Sequence, residues 1–230
     1  MDKKPLKLDF HVHTSDDVFD NIPHGPEQLV DEMARRGFDG FAVTNHDHHI
    51  ISDRLSGYAK ERGLLIIPGM ELTYLRQHIV LLNFREPDKV KTPADIIRDK
   101  GEANLVMAAH PYFPWAPSCG RLLDARPELF DAIEFCHLYN WLINFNRKAV
   151  LKADELGLPL LGTSDAHTLL QIGYTYTMVD AEKDVEAIIV AIKAGKSRLV
   201  TSPFNFFDFA RVIAYMRLED LKRYFGRNHT

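Results

Sequence analysis

Apolar runs of strand length alternate with amphipathic stretches of helical period along the whole chain. The runs at 6–13, 38–45, 64–68, 78–84, 104–110, 131–137 and 158–163 read as seven strands, with two shorter ones at 173–179 and 198–201. Between them the pattern predicts helices. One opens at Pro26-Glu27, with proline in the first turn, and ends at Gly37. Others are expected at 50–62, closed by Gly63, and from a Thr92-Pro93-Ala94-Asp95 cap to about Lys100. Two more are expected at 142–156, stopped by Gly157, and at 181–194. The tail at 204–225 reads as an amphipathic helix with aromatic residues on one side.

Strands alternating with helices at short intervals predict an α/β fold with a mainly parallel sheet. Continuously apolar strands such as 64–68 suit a sheet covered on both faces. No break in composition divides the chain. A closed or nearly closed barrel therefore fits better than two domains, with residues 1–230 as one unit and 203–230 as its C-terminal helical extension.

Composition narrows the setting. The chain has 230 residues, 46% of them hydrophobic and 26% charged, which is enough for one sizeable core. A net charge of -4 offers no overall basic field for a stable nucleic-acid complex. Cys119 and Cys136 stand apart and read as reduced cytoplasmic thiols. No signal segment or membrane span is expected.

The candidate chemistry lies where the strands end. His11 and His13 point to one side of a strand, because side chains alternate. That makes a pair of metal ligands. Asp165 and His167 repeat the spacing after the seventh strand, although Ser164 or Asp165 could instead act as a helix N-cap. His46 ends the second strand, and His48 and His49 beside it read as solvated loop residues. Glu71 follows an apolar strand and Pro68-Gly69; a carboxylate there is costly to bury unless paired or metal-bound, and it can bridge two ions. With Glu71, His78 and His110 would supply a second metal site. Glu134 reads either as a partner orienting a ligand histidine or as a paired buried carboxylate, with His137 and Asn140 nearby. In the loop after His13, Asp16, Asp17 or Asp20 would complete a further site with His46 and His167, and spacing does not decide which. Active sites of barrels are built at this end of the strands.

As a set, His11-x-His13-Thr14, Thr44-Asn45-His46-Asp47, Gly69-Met70-Glu71, His110-Pro111 and Ser164-Asp165-Ala166-His167 resemble the polymerase-and-histidinol-phosphatase (PHP) family of metal-dependent phosphoesterases. The resemblance spans about residues 6 to 200 and extends to Ile172-Gly173-Tyr174-Thr175. It implies a distorted (β/α)7 TIM-like barrel holding two or three divalent ions. His11, His13, Glu71 and Asp165 would hold the first, and Glu71, His78 and His110 the second. His46 and His167 would hold the third with Asp20, and Asp17 in reserve. The loop Ser15-Asp16-Asp17 departs from the family's usual Ser-Asp-Gly.

The implied activity is hydrolysis of a phosphate ester of a small molecule, nucleotide or short oligonucleotide by a metal-bridging hydroxide, with Asp165 or His167 moving the proton. Imidazoles and carboxylates without thiolate suit Zn²⁺, Mn²⁺ or Fe²⁺. Candidate substrate contacts are Tyr112, Phe113, Trp115, Tyr139 and Trp141, with Arg76, Arg121 and Arg147 as phosphate clamps. The alternatives are an amidohydrolase-type C–N hydrolase, which Glu71 and the Asp165-x-His167 pair argue against, and a non-catalytic metal-binding interaction module, which the complete ligand set argues against. The aromatic tail would either mediate a dimer or pack over the barrel bottom.

Overall fold

The computed structural model describes residues 4–49, 51–114 and 117–226, with side chains up to 219. Among the described residues, nine strands form one sheet: β1 (Leu6–Val12), β2 (Gly40–Val43), β3 (Leu65–Tyr74), β4 (Gln77–Leu82), β5 (Leu105–Ala108), β6 (Ala132–Cys136), β7 (Leu160–Thr163), β8 (Thr175–Val179) and β9 (Ser197–Thr201). The helices are α1 (Pro26–Arg35), α2 (Asp53–Glu61), α3 (Pro93–Asp99), α4 (Gly120–Ala125), α5 (Arg147–Leu156), α6 (Val185–Lys193) and α7 (Phe206–Gly226). None of these helices is long and apolar enough to cross a membrane.

The strand order is β7-β6-β5-β4-β3-β2-β1-β8-β9. The sheet curls until its ends meet, giving the nearly closed barrel expected of an α/β chain. β1 makes the seam. Its first half pairs antiparallel with β8, from Leu6 opposite Val179 to Leu8 opposite Thr177. Its end leaves β8 and bridges to the segment after β7, Val12 to Ala166. Asp9 Oδ1 accepts from Ser164 N at 3.1 Å, and Thr177 Oγ1 donates to Gly162 O at 2.9 Å, so both halves of the seam are tied. A side chain at Gly162 would stand 2.4 Å from Leu199 Cδ1 and 2.7 Å from Tyr176 O. The bare backbone there lets the seam close.

The sheet is less parallel than the sequence suggests. β1–β2, β2–β3, β5–β6 and β6–β7 are parallel, but β3–β4, β4–β5, β1–β8 and β8–β9 are antiparallel. β3 and β4 form a hairpin whose two turn residues, Leu75 and Arg76, have φ of 48° and 61°. Such turns usually carry Asn or Gly, so nothing in Leu-Arg announces one. β3 also runs on past Pro68-Gly69, which puts Glu71 inside a strand and not beyond its end. Gly69 serves close packing: a Cβ there would lie 2.8 Å from Thr44 Cγ2 and 2.9 Å from Val43 O.

Buried strands β2, β5 and β6 are covered on both faces, as their apolar runs require. Within β1, Leu6, Leu8 and Phe10 join one apolar cluster, and Asp9 and His11 face the opposite way. α5 starts five residues later than its pattern suggests. Asn140 accepts from the backbone of Leu142 and Ile143 at 2.9 Å, holding that stretch as a loop. The short α4 carries too little periodic pattern to be read from sequence. The tail is helical as expected, but it does not pack over the barrel bottom. α7 crosses the end of the barrel where the strands finish, and its Tyr215, Met216 and Glu219 face the cavity there.

Candidate metal centre

Four ligand atoms converge at the top of the barrel. His11 Nε2 and His13 Nε2 stand 3.2 Å apart. Glu71 Oε2 is 3.3 Å from the first and 3.4 Å from the second. Asp165 Oδ1 is 3.5 Å and 3.4 Å from them. A tetrahedron built on bonds of about 2.0–2.1 Å to a metal has edges of about 3.3–3.4 Å. His11, His13 and Asp165, and likewise His11, His13 and Glu71, therefore already have the spacing of neighbouring ligands in one coordination shell.

Glu71 is the hub, and β3 places it there because its neighbours Met70 and Leu72 turn into the apolar core. Its Oε1 lies 2.9 Å from His78 Nδ1 and 3.3 Å from His110 Nε2. His78 Nδ1 is buried and makes no hydrogen bond despite that distance, and His110 Nδ1 is buried without one. His46 Nε2 reaches the other oxygen of Glu71 at 3.0 Å. Burial would raise the Glu71 pKa, but His78, His11 and His46 around it hold it well below the usual carboxylate range. Asp165 is held down in the same way, against burial, by His11, His13 and His167.

Orientation comes from carboxylates behind the histidines. His11 Nδ1 donates to Glu134 Oε1 at 2.8 Å, which leaves Nε2 to face the cluster. Glu134 also accepts from Thr163 Oγ1 and from the backbone N of His110, tying β1, β5, β6 and β7 together at one buried group. Asp17 does the same for two rings: its Oδ2 accepts from His13 Nδ1, His46 Nδ1 and His46 N, each at 2.9 Å. Its Oδ1 accepts from the backbone of Phe19 and Asp20. Burial opposes its charge, yet His13 and His46 drive the Asp17 pKa far down.

Asp20 lies elsewhere in the loop, with Oδ2 2.7 Å from His167 Nε2. Burial would lower His167, but the Asp20 bond and the Asp165 charge prevail and push it up to about 9. Burial would raise Asp20, but His167 holds it at about 2. So His167 pairs with Asp20, whereas His46 pairs with Asp17 and Glu71. The closest groups of possible ligands are His11, His13 and Asp165; His13, Asp17 and His46; and His46, Glu71 and His78.

Strand alternation aims the first histidine pair but not the last motif. β7 ends at Thr163, and Asp165 takes φ 42°, an uncommon value for a non-glycine residue, to turn its carboxylate inward. His110 is similar, at φ 25°. Gln171 holds the turn. Its Oε1 accepts from His167 N at 3.1 Å and Thr168 N at 2.8 Å, and its Nε2 donates to Asp165 O at 3.1 Å and His137 Nε2 at 3.0 Å. Burial lowers His137 to about 4, keeping it a neutral acceptor. Sequence reading missed Gln171, for no motif marks it. His24, also missed, donates from Nε2 to His13 O at 3.0 Å.

The expected substrate contacts fall outside the centre. The cavity over the cluster has a volume of about 250 Å³, and none of the described aromatic or arginine candidates lines it. Tyr112 donates to Asp124 Oδ1 at 2.7 Å and lies under Lys148. Phe113 and Tyr139 are buried, Trp141 is solvent-exposed, and Trp115 lies outside the described residues. Arg76 and Arg121 line a separate groove, and Arg147 opens α5. His48 pairs with Asp88 at 3.6 Å and His49 Nδ1 bonds Gly69 O at 3.0 Å, both away from the cluster.

A family model described as PHP-associated matches residues 144–197, from the start of α5 through the Asp165–His167 segment to β9. No curated protein matches the chain. Among solved structures, PsfC from Pseudomonas syringae PB-5123 is similar with a TM-score of 0.67 at 17% identity, covering 95% of this chain and 99% of that one. A protein assigned as a metal-dependent phosphoesterase from Bifidobacterium adolescentis gives 0.55 at 17% identity, over 72% and 89%. The lesion-specific endonuclease PfuEndoQ from Pyrococcus furiosus gives 0.57 at 15% identity, over 84% of this chain and 57% of that one. At these identities the likeness is one of fold.

Proposed function

We propose that this chain, a PHP-family protein, is a metal-dependent phosphoesterase. The observation that carries the reading is the set of 3.2–3.5 Å edges among His11, His13, Glu71 and Asp165. Those residues would hold one ion. Glu71 would be shared with a second at His78 and His110. A third position would draw on His46, Asp20 and His167. Imidazole and carboxylate donors suit Zn²⁺, Mn²⁺ or Fe²⁺.

Ions bound there supply positive charge for the phosphoryl oxygens and lower the pKa of water towards neutrality. The protein's own part is orientation and proton traffic. Glu134 and Asp17 fix three imidazoles so that each Nε2 faces Glu71. His167, bonded to Asp20 at the cavity wall, would give a proton to the leaving oxygen only where it is not itself holding an ion. Asp165 would accept a proton from the attacking water.

The test is hydrolysis of phenyl phosphate and of bis(4-nitrophenyl) phosphate with Mn²⁺ or Zn²⁺ restored, beside Asp165→Asn. Metal-dependent turnover of the monoester, lost by about 100-fold or more in the variant, is expected. Metal-loaded protein that turns over neither ester contradicts the reading.

A further inference from the structure

The tail helix closes the site from above. Its start is anchored by Phe204, just before the helix, and by Val212 within it, both buried, with the Phe204 ring 4.1 Å from Tyr174 and 5.3 Å from His137. Tyr174 Oη adds a hydrogen bond to Asp208 Oδ2 at 2.6 Å. The next turns present Tyr215, Met216 and Glu219 to the same cavity that holds His46, His78 and His110. The helix is latched to the loop opposite: Tyr215 Oη donates to Asn21 O at 2.7 Å, and Asn21 Nδ2 donates to Glu219 Oε2 at 3.3 Å. Asn21 directly follows Asp20, the partner of His167, so the latch sits at the rim of the ligand cluster. Phe19, from the same loop, adds an apolar wall with its ring 5.8 Å from His46.

Two properties of the covered cavity restrict which molecules enter. Its volume of about 250 Å³ is below the roughly 300 Å³ at which small-molecule sites begin, and bound ions would occupy part of it. Its described lining includes Asp20, Glu71, Asp165 and Glu219 but no lysine or arginine. A nucleic-acid strand is held by cationic side chains along its phosphates; with Asp20, Glu71 and Asp165 taken up as ligands, a second phosphate beside the cap would meet Glu219 instead.

We propose that α7 is a specificity cap: Tyr215, Met216 and Glu219, latched to Asn21, restrict the site to small phosphate monoesters whose leaving group is compact and carries no further negative charge. The cap rests on the phosphoesterase reading above and narrows it, setting aside oligonucleotide ends.

The experiment compares kcat/KM for phenyl phosphate, 4-carboxyphenyl phosphate and 5′-phosphorylated hexathymidylate, using the full chain with Mn²⁺. The wild type should favour phenyl phosphate over the hexanucleotide by about 100-fold or more. Tyr215→Ala with Met216→Ala should bring that ratio below about 10-fold, and Glu219→Gln should narrow the preference for phenyl over 4-carboxyphenyl phosphate. A wild type that cleaves the hexanucleotide within about 10-fold of phenyl phosphate overturns the cap and leaves the phosphoesterase reading standing. So do folded, metal-loaded variants with unchanged ratios. A metal-loaded wild type that hydrolyses none of the three overturns the phosphoesterase reading instead. The cap is then decided by calorimetric titration: binding of inorganic phosphate without the hexanucleotide supports it, and any other binding pattern overturns it.

Discussion

Glu134 shows how much of the site is set one layer behind the ligands. Its carboxylate takes hydrogens from His11 Nδ1, Thr163 Oγ1 and the His110 backbone, and it is fully buried. Glu134→Ala frees the His11 ring and leaves the His110 N–H without its acceptor. Metal affinity should fall about 10–100-fold, measured by calorimetric titration with Mn²⁺ or Zn²⁺, and Glu134→Gln should recover part of the loss by keeping the shape and one acceptor. Equal affinity in wild type and Glu134→Ala would show that His11 needs no such support. At this scale the sequence was most informative where spacing alone sets direction, as in His11 and His13. It was least informative in the aspartate-rich loop. Asp20 and Asp17 differ by three positions, and only the path of the loop sends one to His167 and the other to His13 and His46. Gln171 was illegible for the same reason, since its value lies in the groups that a turn brings to its amide.

The elements that carry the ligands are strands and tight turns, and their errors of reading share a cause. Pro68-Gly69 resembles a strand end, yet β3 passes through it because β2 lies so close that only hydrogen fits at position 69. The same strand carries Glu71 on to the cluster. Gly69→Ala should therefore cost about 1–3 kcal/mol of stability, measured by urea denaturation, and weaken metal binding as Glu71 shifts with the strand. An unchanged midpoint and affinity would mean that Thr44 gives way freely and that Gly69 has no bearing on the site. The β3–β4 hairpin escaped notice because Leu75 and Arg76 lack the usual turn chemistry. That omission is why the sheet was expected to be mainly parallel. All nine strands and most helices were nonetheless legible, because buried strands here are short continuous apolar runs and the helices carry caps and stop signals such as Thr92 and Gly157.

Over the whole molecule, the barrel gathers residues from position 11 to position 167 onto one end, and the tail returns to cover it. Which end α7 covers could not be read from its pattern, because the aromatic residues that anchor it match either end equally well. Its seat is set by tertiary partners, Tyr174 and His137, of which His137 also bonds Gln171 behind the Asp165–His167 turn. The proposal that joins barrel, ligand cluster and cap is that the chain holds ions beneath a small covered cavity and hydrolyses a phosphate ester there. The most direct measurement is a titration of metal-stripped protein with Mn²⁺, tracking ions bound per chain and phenyl phosphate turnover together, with Glu71→Gln alongside. Because Glu71 faces His11, His13, His46, His78 and His110, turnover is expected to rise in step with occupancy of more than one site, and the variant is expected to lose both tight binding and turnover. Full turnover in the metal-stripped protein, or saturated sites with no turnover, would contradict that claim.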